Sequence, residues 1–130
     1  MIGKALYTML YGNTAIKAIV SNRIYPISNK AEALPSIYYI VRMLPHYTKN
    51  GQQGQDWKVT ILTMCKTYTE AWDLAIKVKN LFESSCRSAT VSSIYFIEAR
   101  CTAIADDFEF QIDSYGQTIE FDMRTKSITS

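Results

Sequence analysis

At the start of the chain Ile2, Ala5, Leu6, Met9 and Leu10 fall at the i, i+3, i+4, i+7, i+8 spacing that puts apolar side chains on one helical stripe. Gly12 and Asn13 end that helix. Thr14 stands where it can cap a second short helix, whose Ile16, Ile19 and Val20 face one way until Ser21 and Asn22 stop it. Arg23-Ile24-Tyr25-Pro26 reads as a short extended piece, because Pro26 lacks a backbone donor and pushes Tyr25 out of the helical region. Over 36–44 the run Ile37, Tyr38, Tyr39, Ile40, Val41 is β-branched or aromatic on both faces, which predicts a strand covered on both sides, one of them by another subunit.

Residues 45–56 form a polar connection, long for a hairpin. Its Tyr47, Lys49, Asn50, Gly51 and Gly54 bring too little apolar surface to offset the entropy of ordering, so it reads as a mobile assembly loop. From 57 to 66 the chain alternates, with Trp57, Val59, Ile61 and Cys65 on one face and Lys58, Thr60 and Lys66 on the other, so this strand pairs with 36–44. Thr67 and Glu70 have capping-box spacing and begin a helix with the core stripe Ala71, Leu74, Ala75, Val78, Leu81, Phe82. Trp72 and Ile76 lie on a second stripe of that helix, about 100° away. Either they widen the core face or, with Tyr38 and Ile40, they form a subunit interface.

Residues 91–102 read as a long strand. Phe108, Phe110 and Ile112 alternate with Glu109 and Gln111 and pair with the last strand across Asp113-Ser114-Tyr115-Gly116. That last strand turns Ile119, Phe121 and Met123 inward and Thr118, Glu120, Asp122 and Arg124 outward. The predicted order is α-α-β-β-β-α-β-β. A helix set between hairpins does not make a regular βαβα sheet, so the expected fold is α+β: one mostly antiparallel sheet with helices on one face, in a single domain spanning 1–130.

Composition removes several classes. With 48% apolar and 20% charged residues the chain is neither disordered nor fibrous, and a formal charge of +2 is far from the strongly basic balance of a dedicated duplex-DNA binder. No apolar run approaches the ~20 residues that cross a bilayer, and the N-terminus lacks a signal peptide's continuous apolar core, so folding in the cytoplasm and no membrane partner are expected. The three cysteines, Cys65, Cys86 and Cys101, form no CxxC pair and read as reduced, partly buried thiols.

The single histidine, His46, sits in the polar turn without a nucleophile or carboxylate arranged beside it. Asp106, Asp107, Glu109 and Asp113 lack the calcium-loop spacing, and Asp107, Glu109 and Asp113 share a parity that on a strand lines a solvated face. Gly51-Gln52-Gln53-Gly54 has the GxxG form of KH domains but strand-like flanks in place of helices, and no phosphate-cradling glycine motif is present. Tyr38, Tyr39, Trp57, Tyr95 and Phe96 could stack single-stranded bases, although the basic-glycine signature of such sheets is missing. No enzyme activity, cofactor, metal or specific nucleic acid is expected.

In order and interval, several motifs resemble the tail completion, or tail terminator, family of long-tailed bacteriophages. They are Ile2-x-x-Ala5-Leu6-x-x-x-Leu10, Arg23-Ile24-Tyr25-Pro26, Leu34-Pro35-x-Ile37-x-Tyr39, Thr67-Tyr68-Thr69-Glu70-Ala71 leading into Leu74-Ala75, and Asp106-Asp107-Phe108 followed by Ile119-Glu120-Phe121-Asp122. The resemblance covers nearly the whole chain. It implies a structural virion protein at the head-proximal end of the tail, assembled in the host cytoplasm as a ring, commonly a hexamer, that caps the tube and offers a joining surface to the head. The implied partners are further copies of itself, the tail tube protein and head-tail connector proteins, with DNA passing through the ring. The alternatives are a head-tail connector or minor tail protein, and a single-stranded nucleic-acid-binding module.

Overall fold

Asn13, rather than Thr14, starts the second helix: its Oδ1 accepts from the Ile16 backbone N–H at 3.0 Å, and Thr14 becomes the first helical residue. Both side chains can cap, but Asn13 takes the extended backbone that a cap needs, with φ −83° and ψ 118°. The computed structural model describes residues 2–21, 23–26, 35–44, 55–92, 94–109 and 114–127. Among them, helices α1 (Ile2–Gly12), α2 (Thr14–Val20) and α3 (Tyr68–Ser85) accompany strands β1 (Ile24–Pro26), β2 (Ser36–Leu44), β3 (Gln55–Cys65), β4 (Ala89–Val91), β5 (Ile94–Glu109) and β6 (Ser114–Ser127). The expected mobile loop residues Tyr47, Lys49, Asn50, Gly51 and Gly54, together with His46, lie outside the described residues.

The strands form one six-stranded sheet in the order β1-β2-β3-β6-β5-β4. β1 runs parallel to β2, and every other neighbouring pair is antiparallel. The α+β class, the mostly antiparallel sheet and the helices on one face are as expected. The stretch predicted as a single strand over 91–102 differs. It breaks at a turn, so that Val91 ends the short strand β4 and pairs with Ile94. Ser92, in that turn, has φ 50°, a conformation that β-propensity at its neighbours does not announce. β5 then runs on through Phe108 and Glu109, which pair with Tyr115 and Ser114 of β6.

The core lies between the helices and one face of the sheet. Ile2, Ala5, Leu6, Met9 and Leu10 of α1 and Ala71, Leu74, Ala75, Val78 and Phe82 of α3 are all buried, while Leu81 is only half-buried. Beneath them lie Ile37, Val59, Ile61, Phe96, Ile119 and Phe121, and the Phe82 ring meets Phe121 edge-on at 5.3 Å. Burial of such a side chain stabilises by roughly 1.5–3 kcal/mol. Thr67 caps α3, accepting from the Glu70 N–H at 3.2 Å.

Candidate interaction surface

The first turns of α3 lie over the far end of the β5–β6 hairpin. Tyr68 and Trp72 follow one another at i, i+4 on the helix, and Asp106 of β5 reaches both. The Tyr68 hydroxyl donates to the two carboxylate oxygens of Asp106 at 3.3 and 3.2 Å, and the Trp72 indole N–H donates to Oδ1 at 3.1 Å. Tyr68 meets Trp72 at a centroid distance of 6.5 Å and Tyr115 of β6 at 6.1 Å, both close to edge-on. One turn along the helix, Ile76 is 41% exposed. These residues make an aromatic surface around a carboxylate, and aromatic side chains are what protein interfaces enrich.

Directly across from Asp106 on β6 is Gln117, fully buried, with neither amide atom hydrogen-bonded among the described residues. An unpaired buried amide costs about 1–3 kcal/mol. Nearby, the Thr63 hydroxyl donates to the Ala71 carbonyl at 3.4 Å, so the polar groups beneath the start of α3 are only partly satisfied.

The four residues expected at a subunit interface fall in two places. Trp72 is half-buried and Ile76 exposed on α3, whereas Tyr38 and Ile40 belong to β2, on the sheet face turned away from the helices. Tyr38 is only 5% exposed, so its ring is largely covered within the subunit; Ile40, two residues on, is 44% exposed. Burial raises the Tyr38 phenol above its ordinary pKa, the Ser36 hydroxyl acts against that, and the Tyr25 phenol adds to it. Spacing pointed to Trp72 and Ile76. It missed Tyr68, which continues the same i, i+4 row, and it missed Tyr115 and Asp106, which come together only through the hairpin register.

On the open face of the sheet a groove of about 420 Å³ is bordered by Lys58, Asp122, Asp56, Arg124 and Glu98. Its charges are largely spent on one another: Lys58 pairs with Asp122 at 3.1 Å, and Arg124 holds Asp56 at 2.8 Å. Such pairing leaves little positive field for a phosphate backbone. On the helix side, Lys79 bonds Glu83 at 2.8 Å, which holds the Glu83 carboxyl below its usual range, and Glu83 Oε2 also accepts the Cys101 N–H at 3.2 Å.

Cys65 and Cys86 are buried free thiols, pushed by desolvation up to about 11 and about 12, and Cys101 is half-buried with its pKa also raised by burial. Among the described residues, no three His, Cys, Asp or Glu side chains converge as metal ligands, and no helix is long and apolar enough to cross a membrane.

No family model matches the chain, and no curated protein matches it in sequence. Among solved structures it is similar to a chain in "Virion of native gene transfer agent (GTA) particle", with a TM-score of 0.70 over 95% of this chain and 93% of that one, at 14% identity. At that identity the likeness is one of fold.

Proposed function

We propose that the chain is a structural subunit of a phage-like particle, and that it closes into a ring, hexameric as in the family its motifs resemble, that caps the tail tube and forms the surface joining it to the head. The observation that carries this reading is the fold, shared over 95% of the chain with a component of a gene transfer agent virion. The order of motifs along the sequence supports the finer assignment to tail completion.

Self-assembly has a physical basis in the exposed apolar side chains. Tyr68, Ile76 and Tyr115 are exposed on one side of the subunit and Ile40 and Met43 at the opposite edge of the sheet. Two different apolar surfaces on one subunit suit heterologous contacts, which end in a ring when the rotation closes. The groove's paired charges favour this reading over a nucleic-acid-binding sheet.

Sedimentation velocity of the purified chain over a range of concentrations tests the proposal. One discrete oligomer forming by mass action is expected, and a monomer at every concentration would overturn it. In the same preparation, labelled single-stranded DNA should not shift at low salt; a salt-sensitive shift would instead favour the nucleic-acid reading.

A further inference from the structure

Among the described residues, both edges of the sheet are covered over only part of their length. On one side β4 pairs with Ile94, Tyr95 and Phe96 alone, although β5 runs to Glu109 and is paired with β6 along its inner side. On the other, β1 pairs with Ile37, Tyr38 and Tyr39, so among the described residues nothing pairs with the outer side of 40–44. A free row of strand N–H and C=O groups is a template for another strand, and proteins normally blunt it with Pro, Lys, bulges or a cover.

These devices are present, but not everywhere. Pro26 ends β1. Bulges interrupt β5 between Phe96 and Glu98 and between Cys101 and Ala103, and Glu83 covers the Cys101 N–H at 3.2 Å. Beyond the second bulge, 103–107 reads Ala-Ile-Ala-Asp-Asp, with no Pro or Lys, and Ala103 and Ala105 are exposed and small enough to let a backbone approach.

We propose that a second copy of this chain adds its β2, through 40–44, to the 103–107 edge of β5. This deepens the ring reading above and rests on it. The direction fits, because three successive antiparallel pairings make β5 antiparallel to β2, so the same sheet continues from one copy into the next. Met43, 60% exposed on the helix side of β2, would lie opposite Ile104 and beside the Trp72–Ile76 row of α3. Each contact consumes one edge of each kind and leaves the other kind free, so growth continues head to tail until it closes.

The test uses two full-length variants at exposed positions, Ala103→Lys with Ala105→Lys on one edge and Ile40→Lys with Met43→Lys on the other, read by native mass spectrometry and by circular dichroism for folding. Each variant alone should be a folded monomer, and an equimolar mixture should give a heterodimer and no ring, because only one compatible pair of edges remains. A variant that forms rings like the parent overturns the edge contact and leaves the ring reading standing. A parent that never assembles overturns both. If either variant loses its fold, chains carrying Met43→Cys and Ile104→Cys are mixed and oxidised. A mapped 43–104 disulfide between copies supports the contact, and rings without it overturn it.

Discussion

The Trp72 indole N–H donates to Asp106 Oδ1 at 3.1 Å, tying the first half of α3 to the far end of β5 across 34 residues of sequence. The same carboxylate accepts from Tyr68, so one side chain fixes two aromatic rings on the subunit surface. Replacing it removes the acceptor without burying anything new. In Asp106→Ala the two donors turn to water, and stability should fall by no more than about 1 kcal/mol in urea denaturation. Oligomer affinity should fall clearly in the same samples; an unchanged oligomer would detach this cluster from assembly.

Trp72 and Phe82 lie on the same helix and separate core from surface. Phe82 is fully buried against Phe121, so Phe82→Ala should cost about 3–5 kcal/mol and depress the melting temperature strongly. Trp72→Ala with Ile76→Ser removes half-buried and exposed side chains, and should weaken association while leaving the monomer's melting largely intact. If that double variant unfolds while whatever stays folded assembles normally, both residues belong to the core.

Much of this was legible in the periodicity, because helix and strand stripes report burial directly: all five predicted α1 positions and the Ile119, Phe121, Met123 face of β6 are buried. What was not legible depends on chain crossings and turns. The left-handed Ser92 that divides β4 from β5 leaves no mark on hydrophobic alternation. The meeting of Asp106 with Tyr68 and Trp72 needs the register of β5 against β6, which apolar spacing alone leaves undetermined. Tyr38 looked free for a partner because both faces of its strand are apolar, yet the subunit itself covers it.

Gln117 offers a gain of stability. Its amide is fully buried and unpaired among the described residues, so Gln117→Met, which keeps the length and removes the polar atoms, should raise the stability of the monomer by about 1–2 kcal/mol in denaturant titration. Destabilisation by that substitution would mean that the amide has a partner in solution.

The thiols set an alkaline limit. Cys65 and Cys86 hold their protons in the folded state up to about 11 and about 12, whereas an unfolded thiol releases its proton near 9.0. Their contribution to stability is therefore fully present below that unfolded value and declines as pH rises through the interval above it. At about pH 8, iodoacetamide should label Cys101 before the other two, since only a thiolate that the reagent can reach reacts. Early labelling of Cys86 would contradict the packing of α3 against α1.

The central claim is that this chain closes on copies of itself, and electron-microscopic class averages of the purified full-length protein test it most directly. Closed rings of one size with an open centre and six-fold symmetry are predicted; single particles at all concentrations, or open filaments that never close, would contradict it.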